Sequence, residues 1–371
     1  MIVQKLREVP QSHTSKVAPS AYDNIDTPGG DGKIHGPGWR NLKMLVLSRA
    51  DVKQLVPMPK AIDLVTQAFR DLSAGRALSP LRTPLEVIPG SGTTLVMPAY
   101  VPSVEALGVK VVSVFTGNAA LGLPTITSIV CVFDPATGQP VAMIEGGYLT
   151  ALRTGAVSGA ATRLLAREES KVLVVIGAGA QAFTQAAAVC AVRPIDRIIV
   201  VARSQERLDN FRQHVAEDWP DLTERVETSL DVASAVRVAD IICTATGSAT
   251  PIFDDADVQP GTHINGVGSF TPRMQEVPAQ TVGRAIVVVD QMESALEEAG
   301  DLVMPLHEGI VSRDHYSLEL GALADGRGTG RTSDDEITFF KSVGNAVQDV
   351  AVGRFAFDEA KRLTVGQTVT L

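Results

Sequence analysis

The sequence predicts an α/β protein in which a doubly wound parallel sheet is joined to a second domain of mixed α+β character. Residues 172–290 alternate short apolar runs with helix-length segments, the pattern of parallel strands linked by crossover helices. A glycine-rich loop stands between the first of those runs and the first of those helices. The strand-rich stretch 83–133 follows a different pattern, and 371 residues are more than one core usually organises, so a second domain is expected.

Composition narrows the function. A hydrophobic fraction of 45% with 20% charged residues describes a globular chain able to bury a core. The net charge of −9 opposes nucleic-acid phosphates and anionic lipid, so neither partner is expected, and an anionic ligand must be met by a few placed cations. Cys131, Cys190 and Cys243 are odd in number and two of them sit in apolar runs, which suits a reducing compartment better than a disulfide framework. The histidines form no HxxxH or HExxH pair and no CxxC accompanies them, so no metal is expected. With no apolar run of the roughly 18 residues a membrane span needs and no leader-like N-terminus, the expected location is cytoplasmic.

Taken in order, residues 1–43 combine Pro10, Pro19, Pro28 and Pro37 with a Gly29-Gly30 pair and keep no period, which predicts a disordered extension. The folded body is expected from Met44. Ser48 and Asp51 form an S-x-x-D capping signal for a short helix. Pro59 opens a second helix, with Ile62, Val65, Phe69 and Leu72 on one face and Gly75 at its end. Strands are expected at 93–97, 109–115 and 126–133, a turn at Asp134–Gly138, and a helix over Leu149–Arg167 that links the domains. Six strands of the parallel sheet follow at 172–176, 198–201, 226–228, 241–245, 264–267 and 285–290. Asp334–Phe357 reads as helix returning to the first domain. The expected division is therefore 44–152 plus 336–371 for one domain and 153–335 for the other.

Gly177-Ala-Gly179-Ala180-Gln181-Ala182 follows the strand 172–176 and opens a helix, which is G-x-G-x-x-A in the required context. Gly177 permits the tight turn, Gly179 lets backbone approach a pyrophosphate, and Ala182 lets helix and strand pack closely, with Ala180 and Gln181 in the first helical turn. This is the signature of a Rossmann dinucleotide-binding domain. At the end of the second strand, where an acid would select NAD, stand Arg203 and Ser204. A guanidinium and a hydroxyl suit a 2′-phosphate, so NADP(H) is the expected preference with NAD(H) admissible; an exposed Arg opening a helix is the alternative. Thr246, after the fourth strand, should border the same crevice.

Arg82, Lys110 and Arg153 interrupt apolar or small-residue surroundings in the first domain. A Lys among valines is costly if buried unpaired, so Lys110 either reaches water at a sheet edge or meets an anion, and spacing alone leaves both open.

Residues 44–350 resemble the ornithine cyclodeaminase/mu-crystallin family. The matching stretches are Met97-Pro-Ala, Gly108-Val-Lys110, Gly122-Leu-Pro-Thr125, Leu149-Thr-Ala-Leu-Arg153-Thr154, Gly177-Ala-Gly179-Ala-Gln181, His263-Ile-Asn-Gly-Val267-Gly268 and Phe340-Lys-Ser-Val-Gly344. The resemblance implies a subunit of two domains, a homodimer formed through the substrate domain, and an active site in the cleft between domains. It further implies that Arg82, Lys110 and Arg153 hold the carboxylate of an amino or imino acid. Thr125, Thr154 and Val267 are then expected beside the cofactor.

One departure decides among activities. Family members that cyclise ornithine carry an Asp two positions after the Val-Gly pair, where this chain has Phe270. Phe can neither take the proton of an ammonium group nor pair with its charge. The expectation is thus NADPH-dependent reduction of a cyclic imino acid of the pyrroline- or piperideine-2-carboxylate type. Lys110 either transfers a proton or only pairs with the carboxylate, and Phe270 either covers one face of the substrate or belongs to the core. An alanine-type amino-acid dehydrogenase, an ornithine cyclodeaminase and a non-catalytic NADPH-binding protein are the competing readings, in that order.

Overall fold

The computed structural model describes residues 42–371, so the extension expected over 1–43 lies, but for its last two residues, outside the described part. Strand β1 (Lys43–Leu47) runs into α1 (Arg49–Leu55) through the expected capping box, with Ser48 N–H donating to Asp51 at 2.8 Å and Asp51 N–H donating to Ser48 Oγ at 3.3 Å. Helix α2 (Met58–Ser73) buries Ile62, Val65 and Phe69. Five strands follow: β2 (Thr83–Ile88), β3 (Gly92–Val101), β4 (Ala106–Phe115), β5 (Ile126–Phe133) and β6 (Pro140–Glu145). Helix α3 (Gly146–Leu165) begins three residues before the expected start, because the Glu145 carboxylate accepts from the N–H groups of Gly147 and Tyr148 at 2.7 and 2.9 Å.

Strand and helix then alternate through β7 (Val172–Ile176), α4 (Ala180–Cys190), β8 (Arg197–Val201), α5 (Gln205–Asp218), β9 (Val226–Ser229), α6 (Val232–Val236), β10 (Ile241–Thr244), β11 (His263–Gly266), α7 (Ala279–Arg284) and β12 (Ile286–Val289). The chain continues through α8 (Met292–Glu298), α9 (Gly300–His307), β13 (Leu318–Glu319), α10 (Leu320–Ala324), β14 (Thr338–Lys341), α11 (Ala346–Leu363) and β15 (Gln367–Thr370).

Two sheets result. The first has seven strands in the order β15-β1-β6-β5-β4-β3-β2, antiparallel except where β1 meets β6. The second has eight strands in the order β13-β12-β14-β11-β10-β7-β8-β9, every pair parallel. Strand order reverses at β7, which lies between β10 and β8, so a crevice opens beyond the carboxyl ends of those strands. One apolar core runs from α2 and the first sheet across the almost wholly buried α3 to one face of the parallel sheet, and a second core fills that sheet's other face.

The structure corrects the reading of Asp334–Phe357 as helix. Its first part is β14, inserted between β11 and β12, and the helix starts only at Ala346. Residues 337–341 are buried on both sides of the sheet, and a central parallel strand of that kind has no alternation to separate it from a buried helix. The parallel sheet therefore extends past the boundary expected at 336. Helix α11 does return to the first sheet, as expected. No helix among the described residues is long and apolar enough to cross a membrane.

Candidate active site

Burial alternates along β4 from Ala106 to Val112, and Ala106, Gly108, Lys110 and Val112 all turn toward the helices. Lys110 lies in a central strand, paired across to Met97 of β3 and Val130 of β5, so the sheet-edge alternative is excluded. Its Nζ donates to Asp349 Oδ2 of α11 at 2.6 Å, and Arg153 Nε of α3 donates to Oδ1 of the same carboxylate at 3.0 Å. All three side chains are buried. Two cations thus share one acid, which leaves an excess of positive charge in a place where water cannot disperse it and an anion is favoured. Burial, reinforced by the neighbouring Arg153, pulls the Lys110 ammonium down to about 8 against the opposing effect of Asp349.

The residues that hold this cluster come from the turn after β14. Gly344 has φ +83°, and a Cβ there would lie 2.7 Å from Arg153 Nη1, so only glycine lets the backbone turn against the guanidinium. Asp290, at the end of β12, accepts from the N–H groups of Val343 and Gly344, each at 2.9 Å, and fixes that turn. Asn345 caps α11 in a capping box with Gln348, whose Oε1 accepts from Arg153 Nη1 at 3.0 Å. The sequence reading missed Asp349, Asn345 and Gln348. An acid set among Val347, Val350 and Val352 is a signal that could have found Asp349.

Arg82 stands just before β2 and is engaged elsewhere. Its Nε donates to Glu298 Oε1 of α8 at 2.7 Å, and its Nη2 meets Oε2 of the same carboxylate. The pair lines a small cavity with Ser79, Met97, Gly344 and Asn345. Arg82 and Arg153 thus both lie by Gly344, but they share no hydrogen-bond partner among the described residues. Phe270 does not line this cavity and is 37% exposed, so in this structure it is neither a core residue nor a cover over Arg82.

The dinucleotide signals gather at the carboxyl ends of β8, β7, β10 and β11. Gly177 has φ +115°, and a Cβ there would lie 2.5 Å from the carbonyl oxygen of Ala245. Gly179 caps α4, and a Cβ there would point into open space, the cradle a pyrophosphate needs. Ala180 and Gln181 open α4, Ala182 is fully buried, and Gln181 Oε1 is a buried acceptor with no partner among the described residues. The loop fits a dinucleotide. Thr154, on α3, bonds the Thr150 carbonyl through its hydroxyl, and its own carbonyl accepts from Gln185 of α4 at 3.3 Å, so α3 is tied to the glycine-loop helix. Thr125 lies before β5, where its carbonyl accepts from Phe115 N–H. Arg203 is exposed after β8, no carboxylate pairs with it among the described residues, and the Ser204 hydroxyl does not cap α5.

An unforeseen residue ties the crevice together. Glu276 is buried and accepts from Thr244 Oγ1 at the end of β10, from Thr246 N–H and Thr246 Oγ1 on the turn after it, and from the N–H groups of Gly268 and Ser269 on the turn after β11. Val267 lies within that second turn. The Glu276 backbone is in turn held by Asp301, which pairs with the buried Lys341 at 3.0 Å. Burial, with Asp301 beside it, pushes the Glu276 carboxyl above the usual range.

A glycine loop at a Rossmann switch point, with a buried cation cluster in the same body, fits an enzyme that brings a dinucleotide to an anionic substrate, and the proteins it resembles define the class as an NAD(P)-dependent oxidoreductase acting on C–N or C=N bonds. The chain belongs to the ornithine cyclodeaminase/mu-crystallin family, whose profile matches residues 42–363. It is 42% identical over 327 residues to the Delta(1)-pyrroline-2-carboxylate reductase of Bacillus cereus, covering 88% of this chain and 99% of that protein. The solved structure of the Thermococcus litoralis Delta(1)-pyrroline-2-carboxylate reductase, in complex with NADH and L-proline, superposes with a TM-score of 0.84 at 39% identity, covering 88% of this chain and all of that one. An archaeal alanine dehydrogenase dimer with bound NAD follows at a TM-score of 0.81 and 32% identity, covering 89% and 99%.

Proposed function

We propose that this protein reduces a cyclic imino acid of the pyrroline- or piperideine-2-carboxylate type to the cyclic amino acid. The observation that carries this reading is the buried Lys110, Arg153 and Asp349 cluster, whose spare positive charge is suited to a single carboxylate. The reductases of B. cereus and T. litoralis, the latter holding NADH and L-proline, support it. The substrate half comprises 44–152 with α11, and the dinucleotide half comprises the parallel sheet with its helices.

Residues of this chain would bind and orient. Lys110 and Arg153 receive the substrate carboxylate, with Arg82 joining from the β2 side. The nicotinamide supplies a hydride to the imine carbon when bound. A ring nitrogen that is already protonated needs no further acid, so placement and charge account for most of the acceleration, and Lys110 acts as an electrostatic partner. Gly177, Gly179, Ala180 and Gln181 would hold the pyrophosphate, with Thr125, Thr154, Thr246 and Val267 along the crevice. Arg203 and Ser204, whose side chains meet no partner among the described residues, favour NADP(H) over NAD(H). Phe270 supplies no group for loss of ammonia from ornithine.

The same reading includes a homodimer formed through the first sheet, because the face opposite its helices carries three rows of apolar cross-strand neighbours: Val96, Val111 and Ile129; Pro98, Val109 and Cys131; Tyr100, Leu107 and Phe133. The test of function is oxidation of NADPH and of NADH against five- and six-membered cyclic imino acids and, separately, against α-keto acids with ammonia. Imine reduction with a higher kcat/KM for NADPH, narrowed by Arg203→Ala, is expected. Turnover only with keto acid and ammonia would replace the reading with an alanine-type dehydrogenase. Proline and ammonia formed from ornithine would overturn the argument from Phe270.

A further inference from the structure

The cavity between Arg82, Glu298 and Gly344 measures about 10 Å³, room for a single water and far too little for a five-membered ring. Its closure has a visible cause. Arg82 reaches from the segment before β2 and Glu298 from α8, and the guanidinium presents its Nε and Nη2 edge to both oxygens of the acid, the fork geometry in which Arg binds any carboxylate. Both side chains are mostly buried, so the pair is shielded from screening by solvent. Lys110 and Arg153, by contrast, remain short of negative charge.

We infer that Glu298 occupies the place of the substrate carboxylate on Arg82, as an internal stand-in that the substrate must displace. The inference rests on the carboxylate site proposed above and adds to it a residue that sets affinity. Substrate enters by carboxylate exchange: Arg82 leaves Glu298, the cavity widens, and the arriving carboxylate takes the freed edge while its charge is shared with Lys110 and Arg153. Glu298 is therefore a competitor built into the wall. It lowers apparent affinity by the fraction of molecules in which Arg82 is already engaged. It also protects the site, because an unoccupied buried guanidinium would otherwise be open to any small anion.

The test uses pyrrole-2-carboxylate, a planar carboxylate that cannot be reduced by this route, titrated into the NADPH-saturated protein. Glu298→Gln and Glu298→Ala are each expected to bind it roughly 5- to 50-fold more tightly than wild type, with the Kd for NADPH unchanged. In the ligand-free protein, an arginine-selective dicarbonyl reagent should modify Arg82, located by peptide mass spectrometry, several-fold faster in both variants. Affinity that is unchanged or weaker in both variants, or Arg82 reactivity that does not rise, overturns the exchange. Turnover is scored apart. A wild-type protein that binds pyrrole-2-carboxylate but reduces no cyclic imine sinks the substrate reading and leaves the exchange to be judged by the two binding results, whereas absence of binding in all three proteins overturns both.

Discussion

Lys110 is held well below the usual lysine range by its surroundings. Its ammonium is pulled from 10.5 to about 8 chiefly by burial, so it is charged below about 8 and neutral above. Between about 8 and 10.5 the unfolded chain holds a proton that the folded one has released, so Lys110 makes stability rise with pH across that window, and its burial cost is fully present below it. Activity should move the other way, because only the charged form attracts a carboxylate. We expect kcat/KM to fall as pH rises through about 8 in wild type and the falling limb to shift upward in Lys110→Arg, whose charge persists. Titration of the substrate is common to both proteins, so the difference between the two profiles isolates Lys110; identical limbs would assign the decline elsewhere. Lys110→Ala leaves Arg153 and Asp349 as a neutral pair and should cost about 1.5–3 kcal/mol of transition-state stabilisation, a loss of ~10- to 150-fold in kcat/KM. Arg82→Ala removes one carboxylate ligand and leaves Glu298 without its cation, so it should also lower kcat/KM, read in the same steady-state assay.

At the scale of elements, the turns after β10 and β11 are organised by a single acid. Five donors converge on the two oxygens of Glu276, and Glu276→Gln would offer them one acceptor and an opposing amide. We expect NADPH binding to weaken by about 1–3 kcal/mol in that variant, read as Kd by cofactor fluorescence, with a fall in Tm. A lower Tm with unchanged Kd would show that Glu276 serves the fold alone. Local elements were legible in the sequence because their signals are local: the Ser48 capping box, the α2 face, and the strand, glycine loop and helix at 172–190 all stand where expected. Lys110 was visible as a charge in an apolar strand, but not its answer. Asp349 lies 239 residues away, and Glu298 lies 216 residues from Arg82, distances over which no periodicity carries information. The insertion of β14 between β11 and β12 was hidden for the same reason, since a strand buried on both faces shows no pattern and its neighbours are chosen by the assembled sheet.

The whole molecule carries an asymmetry that bears on assembly. The parallel sheet is covered on both faces, whereas the seven-stranded sheet packs α2 and α11 on one face and presents apolar rows on the other. Val96 is 40% and Ile129 43% exposed at the centre of those rows. A contiguous patch of this kind is unusual on a soluble monomer and costs free energy unless a partner removes it from water. A second copy meets that need with the same surface, and a two-fold axis through the sheet would set row against row. Lys110, the carboxylate ligand of the proposed reading, turns to the helix side of β4 between Val109 and Val111, so a disturbed interface should be felt there through β4. We expect wild-type protein to sediment as a dimer at micromolar concentration and Val111→Glu combined with Ile129→Asp to yield monomer with reduced kcat/KM. Both positions turn away from Asp349, so loss of activity without loss of the dimer would point to damage within the strand, and a monomeric wild type would leave the apolar rows to another partner.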